Sequence, residues 1–426
     1  MRYGPFTPLA TTGAFALLLA APALYAQEVL EVTGRDSHIE ADFEEIHRVG
    51  AITGESWEMF ASVKKVGFDA AGNLYVFDRI GGGNSGDARI VVFDAAGGFV
   101  REFGSAGEGP GEFRDPDNIA IMRDGTAVVE DNGHDAYQIF DPAGTFMRMV
   151  RMAETGSKVV VVTDVFPDPR GGALYKPRDG GGAGDGAAPG SRPVTRIGLA
   201  GEAVDTDTVA VGWQPSRGGE AIEGEINFLG GKVSLNDLLG NFAVPSEFEP
   251  GLLLGVLPDG GLVYSDSSAY ALKITPPDTP EVIRIISRPF RPEPVTESIR
   301  KEYGEKRAGR RRATGTASGT TAEGASVPIG LSFRMPEPTF FPEIPVLRGL
   351  STTWEGRIWV QRRGEEPESD GPIDVLTVAG DYLGTLRSDA AKMPDAFGPN
   401  GMAAFIELDE FDVASVVVRR LPETIR

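Results

Sequence analysis

The feature that most constrains this fold is a series of short apolar runs separated by turn signals, between Gly98 and Met152. Each run alternates apolar with polar residues, which is the period of a strand with one buried face. Asp-Gly, Asn-Gly and Pro-Ala-Gly bound the runs, and such residues join antiparallel strands. The pattern therefore predicts a four-stranded antiparallel meander with strands at Asn118–Met122, Ala127–Asp131, Tyr137–Phe140 and Phe146–Val150.

A second copy of this meander lies just upstream, between Lys64 and Gly104. In both copies the second and the third strand end on an aspartate. The distance along the chain between these two aspartates is longer in the upstream copy, by the length of the segment Gly81–Gly86. A four-stranded unit that repeats every 40–50 residues or so is typical of a β-propeller, in which each repeat forms one blade.

The residues of the meander resemble a known repeat. GEGPGEF at Gly107–Phe113, followed by Asp124-Gly125 and Asp131-Asn132, is similar to an NHL repeat. The chain as a whole resembles the secreted bacterial six-bladed propellers built on that repeat. This resemblance implies the fold but no single activity, because members of the family differ in function.

The remaining strand patterns complete six blades. We expect an all-β chain folded as one six-bladed β-propeller of four-stranded antiparallel blades, with 3+1 closure between N- and C-terminal strands. Phe43–Ile52 is predicted to be the outer strand of a last blade that includes Met402–Glu407 and Ser415–Leu421. The predicted organisation is a signal peptide over 1–26, a lead-in over 27–42, and a propeller over 43–426 with insertions 213–250 and 290–343. Blades three to five are predicted at Asp164–Ala210, Leu252–Arg288 and Pro345–Arg387.

The N-terminus and the composition indicate export. Arg2, the apolar run Ala14–Ala21 and the small residues up to Ala26 are typical of a secretory signal, and the run is shorter than the roughly 20 residues that span a bilayer. We expect an exported monomer, periplasmic or extracellular, with no transmembrane segment in the mature chain. A net charge of −21 argues against nucleic-acid partners, and the lack of cysteine excludes disulfides and thiolate chemistry.

The lengths of the connections distinguish the two faces of the propeller. Turns between first and second strands are short, whereas long segments lie between second and third strands or between blades. The latter two kinds of connection emerge on the same side, here named the long-loop face; the opposite side is the trimmed face. Within the insertions, Val295–Arg312 is predicted to contain a helix, Ala313–Ala325 to be flexible, and Trp213–Pro250 to cover the channel mouth as a lid.

Oxygen ligands near the starts of first strands form a candidate metal site on the long-loop face. We expect no cofactor; Ca²⁺, which takes six to eight oxygens, is the one that these groups could hold. Gluconolactonase- and paraoxonase-type propellers, which this arrangement resembles, hold calcium with Glu, Asn and Asp. An acidic chain also supplies such groups by chance. The candidate ligands are Asn118, Asp164, Glu249 and Glu343.

Polar residues that follow second strands form a candidate ligand-binding set. An arginine cluster could bind an anionic ligand, although such residues often pair with neighbouring acids. Asn132 and His134 lie on the same face and have a simpler interpretation as turn residues. Asp78, Asp131 and Asp266, like Asp94 and Asp141, are interpreted as acceptors of backbone N–H groups. The ligand-binding candidates are Arg79, Asn132, His134, Arg178, Arg362 and Arg363.

Two functions from different classes fit these patterns. The first is a non-catalytic binding or scaffold propeller that recognises a protein, peptide or glycan on its long-loop face. The alternative is a calcium-dependent lactonase or lyase acting at the channel mouth. The chain has three histidines and no G-x-S-x-G motif, so no catalytic residue is assigned.

Overall fold

The protein is a six-bladed β-propeller, which confirms the predicted fold. The computed structural model describes residues 27–79, 87–152, 163–178, 188, 190–216, 223–228, 231–234, 244–308, 312–320, 326–334 and 337–426. The predicted signal, residues 1–26, lies outside this part of the chain, so export stays a prediction. No helix of the described residues is long and apolar enough to cross a membrane.

Blades 1 to 3 follow one another along the chain as antiparallel sheets, each with its first strand innermost. Blade 1 consists of Val63–Phe68, Leu74–Arg79, Ala88–Phe93 and Phe99–Phe103. Blade 2 consists of Pro116–Ile121, Ala127–Asp131, Ala136–Phe140 and Phe146–Arg151, with a 3₁₀ turn at Asn132–His134. Blade 3 consists of Phe166–Pro167, Ala173–Pro177, Ser191–Gly198 and Asp205–Trp213.

Blades 4 to 6 each contain or contact a piece of the N-terminal segment. Blade 4 has Leu253–Val256, Leu262–Ser265, Ala271–Thr275 and Arg284–Ser287, with Glu28–Glu31 added in parallel as a fifth strand. Blade 5 has Leu347–Thr352, Arg357–Arg363, Asp370–Thr377 and Tyr382–Leu386. Blade 6 has Ala396–Phe397, Met402–Leu408 and Ala414–Arg420, with a 3₁₀ turn at Pro399–Gly401 and Glu44–Val49 as its outer strand.

The N-terminal segment therefore forms a belt, residues 28–49, across the outside of three blades. Between its strands on blades 4 and 6, the backbone of Ser37 and Ile39 bonds to Thr385 of blade 5. Asp36 lies beside Arg288 of blade 4 and Arg362 of blade 5, at 3.1 and 2.6 Å. The sequence patterns predicted the strand on blade 6 but missed the one on blade 4.

The two interblade insertions fold together. Strand Glu223–Phe228 of the first insertion pairs with Ser326–Arg334 of the second, and this pairing joins the two insertions in one antiparallel sheet. Gly231–Ser234 and Arg312–Thr320 form the two edges of that sheet. The second insertion also contains helix α1, Glu297–Ala308, as predicted, and a short pairing of Glu293–Pro294 with Glu343–Ile344. The expectation that Ala313–Ala325 is flexible is wrong for the residues up to Thr320, because regular pairing with Ser326–Arg334 satisfies their backbone.

The apolar core is divided into six clusters, each between two neighbouring blades. This follows from strand alternation, because both faces of every blade bury apolar residues against the next blade. A tyrosine latch reinforces two of these interfaces. The hydroxyl of Tyr75 donates to Gly125 O (3.2 Å) and that of Tyr175 to Gly260 O (2.9 Å), at turns where glycine takes positive φ.

The recurring aspartates act as predicted, as acceptors of backbone N–H groups. Asp78, Asp131 and Asp266, at the ends of second strands, bind the backbone of the preceding interblade connection. Asp94 and Asp141 bind amides within their own turns. A carboxylate at this phase therefore ties each connection to its blade.

Candidate functional site

On the trimmed face, one side-chain contact crosses the central channel. Arg123 and Trp354 lie in the first-to-second-strand turns of blades 2 and 5, which are opposite each other in a six-bladed ring. The Arg123 guanidinium is 4.7 Å from the centroid of the Trp354 ring, a cation–π contact across the axis. A ligand would therefore reach the channel from the long-loop face.

Lys65 lies at the long-loop end of the channel, on the first strand of blade 1. Its Nζ donates to Val165 O at 2.9 Å, to Asp164 Oδ1 at 3.3 Å and to Asn118 Oδ1 at 3.4 Å. The Phe166 ring is 5.8 Å away. One ammonium thus joins the inner strands of three successive blades.

The hydrogen bonds continue from Asn118 into blades 2 and 3. Asn118 Nδ2 donates to Glu130 Oε2 at 3.3 Å, and the second oxygen of Glu130 binds Lys176 Nζ. Burial and the charge of Glu130 raise the pKa of Tyr137 well above its usual range. The result is a chain of hydrogen bonds and ion pairs, Asp164–Lys65–Asn118–Glu130–Lys176, named here the channel relay.

Lys65 is crowded by protein but reachable. Burial lowers its pKa below 10.5, although the charge of Asp164 opposes that shift. A quarter of its side-chain surface (25%) nevertheless stays accessible. A side chain that is packed by protein on most sides and still partly accessible to solvent is typical of a channel wall.

The four candidate metal ligands occupy three different settings. Asn118 and Asp164 come together, but around the ammonium of Lys65. Glu249 binds Arg192 at 2.7 Å, and Glu343 accepts a hydrogen bond from Ser268 at 2.6 Å. Over the described ranges there is no group of three or more His, Cys, Asp or Glu placed to hold a metal ion. Calcium binding stays a prediction, and a cation beside Asn118 and Asp164 would have to displace Lys65.

Three of the candidate ligand-binding residues meet between blades 1 and 2. Arg79 binds Asp115 at 3.1 Å and Asp117 at 3.3 Å, and Asn132 donates to the other oxygen of Asp117. Burial and the neighbouring charge of Asp117 raise the pKa of Asp115. His134 reaches the same region through Asp131, with Nδ1 at 2.8 Å from Oδ2.

The other three candidates lie apart from that group. Arg362 is buried, 3.4 Å from Asp374, with its guanidinium 4.3 Å from the centre of the Phe290 ring. Arg363 binds Glu293 at 2.8 Å. Arg178 follows the second strand of blade 3 and lies close enough to Tyr137 to influence its pKa. For Arg79, Arg362 and Arg363 the structure shows acidic partners, as the simpler interpretation expected.

The sequence analysis missed three members of the channel relay: Lys65, Glu130 and Lys176. Each is a charged residue within a strand and is next to at least one buried residue. Burying a charged side chain in an apolar strand costs free energy unless the charge is paired. A lysine or glutamate that interrupts an apolar strand was therefore the sequence signal that could have identified these three residues.

No protein-family model matches this chain, and no curated protein matches it in sequence. Solved structures with the same architecture do resemble it. A member of the DUF4221 family from Bacteroides vulgatus aligns with a TM-score of 0.52 at 10% identity, over 90% of this chain and 99% of that one. A protein from Bacteroides fragilis aligns at 0.44 and 11%, over 93% and 100%. The calcium-binding protein regucalcin from Agrobacterium tumefaciens aligns at 0.34 and 13%, over 93% and 98%.

The similarity to the DUF4221 structure supports the propeller fold and no more, because an identity of 10% carries no information about chemistry. The resemblance to the NHL repeat stays a prediction, since no family model supports it.

Proposed function

We propose that this chain is an exported binding protein that holds a polypeptide partner on its long-loop face. The observation that carries the proposal is the location of the exposed large apolar side chains in the described part of the chain. Five of them lie on connections or strand ends of the long-loop face, the others lie on outer strands, and none lies in a first-to-second-strand turn. The five are Ile52, Met59, Trp213, Leu408 and Phe411.

Exposed residues of these types favour a protein interface. Phe411 and Trp213 expose 70% and 45% of their surface, and burial of this apolar surface by a partner would be favourable. Trp, Phe and Met are enriched in protein–protein interfaces, and aromatic anchors often contribute most of the binding energy. The opposite face has short turns and the Arg123–Trp354 contact across the channel, which favours the long-loop face as the side from which a partner binds.

The joined insertions supply a supporting platform at this face. Helix α1 is anchored to the first insertion, since the rings of Tyr303 and Phe248 meet edge to face at 4.8 Å. Arg307 binds Glu247 at 3.0 Å. Because the insertions come from both sides of blade 4, their shared sheet extends the binding surface beyond the propeller. Contacts held by rigid elements bind with less entropic cost than those on separate loops.

The calcium-dependent alternative is less favoured. A metal between Asn118 and Asp164 would compete with an ammonium that already has three oxygen acceptors. Burying two cations in one polar site is unfavourable without further anions.

Selection from a displayed random-peptide library on the mature chain tests the proposal. We expect selected peptides to bind about tenfold or more weakly to the Phe411→Ser and Trp213→Ser variants, the loss typical of an aromatic anchor. Val100→Ser and Met147→Ser, on exposed outer strands, serve as matched controls and should bind normally.

Two outcomes would contradict this function. Equal losses in the control variants would mean that binding follows exposed apolar surface in general. Specific capture on a glycan array, lost in Trp213→Ser while no peptide is selected, would replace the polypeptide with a sugar ligand.

A further inference from the structure

We propose that Lys65 anchors the carboxylate group of a ligand at the long-loop end of the channel, in the position that Asp164 now holds. The site is separate from the apolar surface proposed above and does not depend on it.

The three acceptors of Lys65 differ in how firmly they are held. Val165 contributes a backbone oxygen, which is fixed by the chain. The side chain of Asn118 is buried and donates both to Glu130 and to Thr163 O. The Asp164 side chain is 70% exposed and touches Lys65 at 3.3 Å. An ion pair with one partner so exposed contributes little, so another carboxylate can replace Asp164 at small cost.

The charges around Lys65 favour an anion once Asp164 moves away. The charged groups nearest to it are Asp164, before blade 3, and Glu130, on blade 2. Glu130 already binds Lys176 from blade 3. With Glu130 and Lys176 paired, Lys65 would be left as an uncompensated ammonium in a crowded site, and a ligand carboxylate would restore its balance.

The surroundings also indicate what carries the carboxylate. The Phe166 ring lies 5.8 Å from Nζ and is half-buried. A planar or apolar substituent on the carboxylate could pack against this ring. Two sources share this chemistry: a small aromatic or aliphatic acid, and the C-terminal carboxylate of a polypeptide.

Calorimetric titration of the mature chain with benzoate tests the small-acid source. Titration with a short peptide ending in Phe, as free acid and as C-terminal amide, tests the other. The Asp164→Asn variant, exposed and expected to fold normally, should bind the carboxylate about two- to fivefold more tightly because its internal competitor is gone. Lys65→Met should bind at least about tenfold more weakly, as loss of a charge-assisted hydrogen bond requires.

Asp278→Asn is the matched control. Asp278 is also exposed and bound to a cation, Arg170, but lies on the trimmed face. It removes the same charge, so tighter binding in Asp164→Asn but not in Asp278→Asn assigns the effect to the site.

The outcomes separate cleanly. Benzoate binding that responds to Asp164→Asn supports a small acid, and binding of the free-acid peptide alone supports a C-terminus. No binding of any carboxylate at millimolar concentration, or equal affinity for wild type and Asp164→Asn, overturns the proposal. Tight calcium binding that Asp164→Asn weakens overturns it in favour of a metal.

Discussion

Asp131 provides the sharpest test of how the long-loop face is built. Its buried carboxylate accepts five hydrogen bonds, shared between both oxygens. Oδ1 accepts from the amides of Asp115 and Gly133 at 2.9 and 3.1 Å. Oδ2 accepts from Arg114 N at 3.0 Å and Gln138 Nε2 at 2.9 Å, and lies 2.8 Å from His134 Nδ1.

Asp131→Asn keeps the shape but replaces one of these acceptors with a donor. If the amide nitrogen replaces Oδ1, Asp115 N and Gly133 N lose their acceptor; if it replaces Oδ2, Arg114 N loses its acceptor and Gln138 Nε2 keeps only its bond to Glu112 O. Each buried unsatisfied donor costs about 1–3 kcal/mol, so the free energy of unfolding should fall by about 2–3 kcal/mol.

Asp141→Asn, in the same blade, is the matched control. Asp141 Oδ1 alone accepts both of its amides, from Ala143 at 2.9 Å and Thr145 at 2.8 Å. An asparagine oxygen can keep both bonds, so the change in unfolding free energy should stay within about 0.5 kcal/mol.

Urea unfolding of the two variants measures this difference, and hydrogen exchange locates it. We expect a lower midpoint for Asp131→Asn and faster exchange of the amides of Arg114 and Asp115. If the free energies of unfolding of the two variants differ by less than about 1 kcal/mol, the number of hydrogen bonds that the carboxylate accepts does not explain the aspartate at position 131.

Three further predictions concern other parts of the ring. Tyr175→Phe removes the 2.9 Å bond to Gly260 O and should lower the free energy of unfolding by about 1 kcal/mol in urea titrations. Burial alone would raise the pKa of Asp36, but Arg362 and Arg288 hold it below 3.8. Its contribution to stability should therefore be complete above that pH and be lost as the pH falls further, and urea midpoints of Asp36→Asn should lack that loss. Burial lowers the pKa of Lys65, so its ¹³C-methylated amine should titrate in NMR spectra with a midpoint below 10.5; a midpoint at or above 10.5 would contradict the crowded setting.

The sequence predicts the blades well because their information is local. A turn such as Asp124-Gly125 needs a residue at positive φ, and its neighbours need period-two burial, so each blade is specified by a few dozen adjacent residues. The recurrence of aspartate at the ends of second strands, at Asp78 and Asp131, was predictable for the same reason.

Pairing between distant segments was not predictable in this way. Glu223–Phe228 pairs with Ser326–Arg334 across the whole of blade 4, and nothing near either strand specifies that partner. Glu28–Glu31 has the same difficulty, because an added outer strand needs only a free edge and a compatible backbone. The contact of Lys65 with Asn118 depends on the relative orientation of neighbouring blades, which the alternation pattern of a single strand does not specify.

The belt and the channel relay stabilise different halves of the ring. The belt ties blades 4, 5 and 6 together from outside, and the buried pairs of Arg288 and Arg362 with Asp36 and Asp374 fix it there. The channel relay instead joins blades 1, 2 and 3 from inside, where Lys65 is crowded but accessible. A ligand that replaces Asp164 would therefore alter contacts only in the half of the ring that the belt does not cross. Because the belt contacts blades 4 to 6, a change of contacts around Lys65 leaves the pairs of Arg288 and Arg362 intact.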